Sequence, residues 1–202
     1  TSKYYLGFDL VRLAGLALRR LDLPRVARPH LKELARISGE TVNLSVLTDE
    51  DKLINIDGVA SDRMVRNVGW IGREMPIHAV SGGKVMLAYL PEVRIDRILD
   101  RGLLRFTERT VTDPEDLRTE LERIRKVGYG TAEEELEVGL SAAAAPIWGH
   151  EGQVVAIISV SGPSFRLPRE RLLELGEITK KTADTISSRM GYVRQDHPLA
   201  AA

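Results

Sequence analysis

In the stretch from Pro76 to Leu90, PIHAVSGGKVMLAYL, a histidine, a serine and two glycines stand directly ahead of a helix-like apolar run, Val85, Met86, Leu87, Ala88 and Leu90. A small-residue turn that opens a helix leaves backbone N–H groups without intrahelical partners. The helix dipole adds partial positive charge at the same place. Val80, Ser81, Gly82 and Gly83 therefore read as a cradle for a carboxylate or phosphate. A P-loop is excluded by spacing, because it needs a glycine five positions before the Gly-Lys pair and a Ser or Thr after it. Here His78 holds the first position and Val85 the second. The same glycines would also serve close helix packing or a tight turn, and local sequence leaves both uses open.

The remaining inventory for catalysis is thin. His30, His78, His150 and His197 lie far apart, and none stands at a metal-type spacing from Cys or another His. His78 alone adjoins the cradle, where a hydrogen-bonding or structural role outweighs that of a general base. Glu133, Glu134, Glu135 and Glu137 could suggest paired carboxylates or a cation site; strand alternation puts Glu134 opposite the other three, and a solvated acidic edge is expected. Ser81 and Ser141 lack the frame of a nucleophile elbow. A different character marks Gly139 to Ile147, where Ser141 is followed by four alanines, Ala142 to Ala145. Alanine is a poor strand former, so small side chains there leave room for a closely packed helix or for a ligand. Ser159 and Ser161 alternate, hence share one face, and could line a small polar-ended cavity or be satisfied by backbone.

Composition narrows the classes. At 202 residues with 43% hydrophobic content the chain fits one domain with an ample core. Lys plus Arg and Asp plus Glu number 29 each, so no global field favours nucleic acid or an anionic membrane. Absence of cysteine excludes disulfides, thiolate metal sites and thiol catalysis. No apolar run reaches membrane-spanning length and the start is no signal peptide, so a cytoplasmic location is expected. The chain begins without methionine and in mid-pattern, as a piece of something longer would.

Several elements must position the cradle. Leu6 to Leu21 and about Pro24 to Ser38 carry helical periodicity. The second has Val26, Leu31, Leu34, Ala35 and Ile37 inward and Gly39 as its stop; Pro29 predicts a late start or a kink. Thr41–Leu47 alternates Val42, Leu44 and Val46 against Thr41, Asn43 and Ser45, a half-buried strand, and Leu53–Val59 completes a hairpin. A short strand is expected around Met64 to Val68. Helices follow over Ser81 to Leu90, Pro91 to Leu99, with Pro91 as first helical residue, and Pro114 to Val127 behind the cap Asp113. Strands are then expected over Tyr129–Glu134, Leu140–Trp148 and Val154–Val160. A long helix, Pro168 to Met190, closes the pattern. Hairpin-joined strands with helices grouped on either side indicate an α/β or α+β domain on a largely antiparallel sheet.

At this point the residues carry a resemblance. Tyr5-Leu6-Gly7, Ala27-Arg28-Pro29 with Leu31, Gly39-Glu40-Thr41-Val42, Pro76-Ile77-His78-Ala79 and Gly83-Lys84 with Leu87-Ala88 occur in order. Thr112-Asp113-Pro114, Gly128-Tyr129, Glu134-Glu135, Ala144-Ala145-Pro146 and Ser159-Val160-Ser161-Gly162-Pro163 continue the set. Together they resemble the C-terminal effector-binding domain of the isocitrate lyase regulator (IclR) family of bacterial transcription factors, from Tyr5 to about Gly191.

That resemblance implies a GAF-like domain with a curved, mainly antiparallel sheet of about six strands and a small-molecule pocket on one face. It divides the chain into the end of a linker (1–7), an effector-binding domain (8–191) and a flexible tail (192–202). It implies an upstream winged helix-turn-helix domain that binds operator DNA as repressor or activator, a homo-oligomer (a dimer or dimer of dimers, hence a homotetramer), no cofactor, and a metabolite effector, often a carboxylic or aromatic acid. Carried over singly, the gripping loop falls on Ser81 and Gly82, and the strand serines on Ser159 and Ser161. Two positions depart: Ala132 stands where the family's stretch has its first acid, and Ala142 where it has a cysteine. The expected ligand therefore has one anionic end and a sizeable apolar or aromatic body. Helix Phe8 to Leu21 is the expected transmitter of an allosteric response. A pure oligomerisation module with a vestigial pocket, or a GAF-like enzyme, stays open as an alternative.

Overall fold

Gly39 ends the first helix in a left-handed conformation (φ 70°), its N–H bonded to the Ala35 carbonyl, and turns the chain straight into the sheet. The structure, a computed structural model, describes residues 22–68 and 71–193. The expected linker, the helix Leu6–Leu21 and all of the tail beyond Val193 lie outside the described residues. The elements in chain order are α1 (Leu23–Ser38), β1 (Thr41–Leu47), β2 (Leu53–Val59), β3 (Glu74–Met75), α2 (Ser81–Ala88), α3 (Glu92–Asp100), α4 (Pro114–Val127), β4 (Gly130–Glu133), β5 (Leu140–Trp148), β6 (Val154–Pro163) and α5 (Arg169–Arg189). The fold is α+β: the strands form one sheet in the order β3-β2-β1-β6-β5-β4, every neighbouring pair antiparallel.

Period-two alternation sends successive side chains of the central strands to two separate cores. Val42, Leu44, Ala143, Ala145, Ile158 and Val160 pack with Leu31 and Leu34 of α1 and with Leu172, Leu175, Ala183 and Ile186 of α5. Ala144 and Ile157 face the other way, joining Leu53 of β2, Val85 and Leu87 of α2, Ile95 of α3, and Leu117, Leu121 and Ile124 of α4. The alanine run thus serves helices on both faces. Close approach on the first face is enforced at Gly176 of α5, where a Cβ would stand 2.3 Å from the Tyr129 ring.

Several boundaries differ from expectation. Met64 to Val68 is not a strand but a run of bends and irregular backbone; the third strand is the two-residue β3, paired to β2 through Leu53↔Met75 and Ile54↔Glu74. Helix α1 begins at Leu23 and includes Pro29 rather than starting late. Ile37 is 46% exposed, while Ala27 and Ser38 take inward places. Pro91 is the N-cap of α3 instead of its first helical residue. Asp113 caps α4 as expected, its side chain accepting from the N–H groups of Glu115 and Asp116.

Candidate functional site

Antiparallel register builds the site as a row across the sheet. Asn55 of β2 pairs with Ser45 of β1, Asn43 of β1 with Ser159 of β6, Ser161 of β6 with Ala142 of β5, and Ala142 with Ala132 of β4. Directly paired residues share a face, so these polar and small side chains form one continuous floor. The polar half of β1 does not meet solvent, as simple alternation suggests; Thr41, Asn43 and Ser45 are all buried.

The first turn of α2 closes over that floor. Its N-cap Val80 is extended and supplies no side-chain cap, which leaves the opening N–H groups free of a capping side chain. The two glycines divide the uses that the sequence left open. Gly82 lines the cavity, and a Cβ there would touch only Leu53 Cδ2 (3.1 Å) and Ile157 Cγ2 (3.2 Å). A Cβ on Gly83 would fall 2.0 Å from the Ile77 carbonyl oxygen, so that residue is required by packing.

Between floor and helix lies an inner chamber of about 70 Å³. Val80, Ser81, Gly82, Ala132, Ser141, Ala142, Ser159 and Ser161 line it, and Gly83 does not. Residues that sequence reasoning missed line it as well: Asn43, Ser45, Leu53, Asn55, Asn67, Met75, Ala79, Glu135, Leu136 and Leu140. The signal for Asn43 and Ser45 was present in the polar alternation of β1. Asn55, Asn67, Met75 and Leu140 also border an outer vestibule of about 290 Å³, which continues past Arg66, Val68, Arg73, Glu137 and Val138.

Hydrogen bonds tie the chamber wall together. Ser45 Oγ donates to Asn55 Oδ1 (2.7 Å), Asn67 Nδ2 to Ser161 Oγ (2.8 Å), and Asn43 Nδ2 to Ser161 Oγ (3.5 Å). Ser141 Oγ lies 2.9 Å from Ser164 Oγ. Asn43 Oδ1 is buried with no hydrogen-bond partner, a state costing about 1–3 kcal/mol unless a ligand group or water meets it. His78 is a structural residue: its Nε2 lies 2.8 Å from the Leu104 carbonyl and its ring packs on Phe106.

The acidic run departs most from expectation. Strand β4 stops at Glu133, and Glu134 takes a left-handed backbone (φ 58°), which breaks strict alternation. Glu135 is buried rather than solvated, and its carboxylate accepts from Lys84 Nζ, itself 0% exposed, at 2.7 and 2.8 Å. Burial raises the Glu135 pKa above the usual carboxylate value, as does the neighbouring Glu120 charge, while Lys84 opposes the rise. No group of His, Asp and Glu among the described residues is arranged to hold a metal ion, and no described helix is long and apolar enough to cross a membrane.

Comparison with known proteins gives this geometry relatives. The family model described as bacterial transcriptional regulator IclR C-terminal matches residues 15–188. The HTH-type transcriptional regulator KdgR of Escherichia coli is 37% identical over 200 residues, covering 98% of this chain and 75% of that protein. The HTH-type transcriptional repressor AllR of the same species is 35% identical over 196 residues, covering 96% of this chain and 71% of that one. Among solved structures, the Thermotoga maritima IclR superposes with a TM-score of 0.79 at 33% identity, over 92% of this chain and 75% of its own. The C-terminal domain of E. coli KdgR gives 0.75 at 37% identity, over 85% of this chain and all (100%) of that domain.

Proposed function

The chain belongs to the bacterial transcriptional regulator IclR C-terminal family, and from that membership we propose that its chamber binds a small organic anion and so tunes DNA affinity. The domain is the effector-binding part of an IclR-family transcriptional regulator, and its relatives are named as regulators rather than enzymes. The ligand reading draws its main support from one observation: the uncapped first turn of α2 lines the same chamber as Asn43, a residue whose buried Oδ1 has no hydrogen-bond partner. A carboxylate meets the turn's N–H groups and partial positive charge. The chamber has room for about two water molecules, enough for a head group only. The body of a larger acid extends past Met75 and Leu140 into the vestibule, where Val68, Val138 and Pro163 offer apolar contact.

DNA binding is assigned to a winged helix-turn-helix domain outside this chain, and assembly to a dimer or a dimer of dimers in the cytoplasm. A ligand shifts operator affinity only through different affinities for two arrangements of such an oligomer. The segment 8–21, which precedes α1 on the side of the DNA-binding domain in sequence, is the proposed transmitter, with 8–191 as the working domain. Calorimetry with benzoate against pyruvate and glyoxylate tests the ligand class. Benzoate-type acids are expected to bind more tightly; preference for the two small keto acids would overturn the extended body and leave the anion cradle standing.

A further inference from the structure

Lys84 is the fourth residue of α2 and fully buried. Its Nζ donates to Glu135 on one side and to Glu120 Oε1 of α4 on the other, at 2.8 Å. Two carboxylates on one ammonium leave one negative charge in excess when all three groups are ionised. Burial makes that excess costly, since desolvated charges are repaid only by complete pairing.

The surrounding charges offset it only from the surface, through Arg123, whose side chain is 40% exposed. On the side away from the chamber, Glu135 borders an outer groove with Arg109, Arg123, Glu133 and Arg169. Arg169 is taken by Glu133 (2.7 Å), Arg109 faces Glu134 (3.6 Å), and Arg123 reaches Glu120 only at 3.8 Å. Among the described residues, Glu135 therefore has Lys84 as its only ion-pair partner, and shares it. On the near side, Glu135 lines the small chamber together with Ser81 and Gly82. An anion in so small a space adds a second like charge within a few ångströms, which favours the protonated carboxylic acid.

We infer that Glu135 is a proton-coupled positioning residue of the chamber: when an organic anion enters, the Lys84–Glu120–Glu135 cluster takes up one proton from solvent, and anion affinity rises as pH falls. This rests on the anion-cradle reading of the same cavity. The proton settles on a Glu135 oxygen and cancels the excess charge. The Lys84–Glu120 pair is then left balanced, and α2 stays anchored while its first turn holds the ligand. Burial already raises the Glu135 pKa, the same direction in which an added anion pushes it.

Titration calorimetry with benzoate and with pyruvate between pH 5.5 and 8, in buffers of different ionisation enthalpy, counts the protons taken up per ligand bound. The wild-type chain is expected to take up a fraction approaching one proton, with affinity rising up to about tenfold per pH unit across that range. Glu135→Gln, which keeps an oxygen for Lys84, is expected to bind without uptake and with a flat pH profile. Glu120→Gln removes the other half of the excess charge and is expected to cut the uptake too, which covers the case of Glu135→Gln failing to fold. Binding without uptake in the wild type, or uptake retained in both variants, overturns the inference and leaves the cradle intact. Failure of both acids to bind overturns the cradle and the inference together.

Discussion

Asn67 Nδ2 donates to Ser161 Oγ at 2.8 Å, joining the segment after β2 to the sheet across the chamber. Other ties on this segment are polar too. Thr41 Oγ1 donates to the Asn67 carbonyl, and Arg166 donates to the Val65 carbonyl (2.8 Å) while its guanidinium grips Glu40. Apolar burial contributes little: Met64 is 95% exposed, and Val65 and Val68 are exposed as well. A segment held by polar bonds with little apolar packing opens locally more readily than a packed core, so the chamber wall at Asn67 is expected to open before the sheet.

Ser161→Ala removes the acceptor shared by Asn67 and Asn43. The expected cost is about 1–2 kcal/mol of stability, from side-chain donors losing a buried partner. Hydrogen exchange should accelerate over residues 60–68 while α1 and α5 stay protected, and benzoate affinity should fall about tenfold. Uniform exchange across the chain would show instead that the bond carries no local weight.

The two cradle glycines should separate fold from binding. Gly83→Ala drives a Cβ into the Ile77 carbonyl at 2.0 Å, a backbone collision, and is expected to destabilise the domain by about 3 kcal/mol or more. Gly82→Ala meets only the tips of Leu53 and Ile157 side chains. Its packing cost is offset by roughly 1 kcal/mol of helix propensity, so stability should change by less than about 1 kcal/mol. Ligand affinity should nevertheless drop severalfold, because the new methyl group enters the chamber. Urea unfolding and calorimetry on both variants read the two effects apart.

How far the sequence exposed this site depends on the kind of signal. Periodicity and caps marked the helices and most strands, because Gly39, Gly128 and Asp113 act through local backbone geometry. The floor of the chamber was half visible: Ser159 and Ser161 alternate in sequence, but Asn43 and Asn55 join them only through strand register, a long-range fact. Sequence alone makes Lys84 a helix residue and Glu135 a solvated acid, because neither has a local reason to be buried. They lie 51 positions apart, and each is tolerated inside through partners distant in sequence, Glu135 through Lys84, and Lys84 through Glu135 and Glu120. The expected strand at Met64–Val68 failed because its apolar residues face solvent instead of a core.

Asp113 offers a control remote from the chamber. Its side chain satisfies the N–H groups of Glu115 and Asp116 at the start of α4. Asp113→Ala is expected to cost about 1 kcal/mol, or roughly 2–4 °C in Tm for a domain of this size. Ligand affinity and proton uptake should not change; a change in either would mean that α4 transmits to the chamber through more than Glu120.

Stability should itself depend on the buried cluster in a direction fixed by the Glu135 shift. Its folded pKa is raised above the ordinary value of 4.5, so between the two values the folded state binds more protons than the unfolded state. Stability from this group is therefore full below pH 4.5 and is lost as pH rises through the raised folded value. His30 shifts the opposite way, lowered by burial and by Arg189, so the comparison must be made between variants at each pH. Wild type should lose stability relative to Glu135→Gln as pH rises from 4.5 to 8. Lys84→Met strands both carboxylates and is expected to cost about 3–5 kcal/mol at pH 7. That loss should shrink on acidification, as Glu135, whose pKa is raised by burial, is neutralised by a proton instead of by the lysine. Urea unfolding of the three proteins across this range checks the sign, and a Lys84→Met penalty that grows on acidification would contradict it.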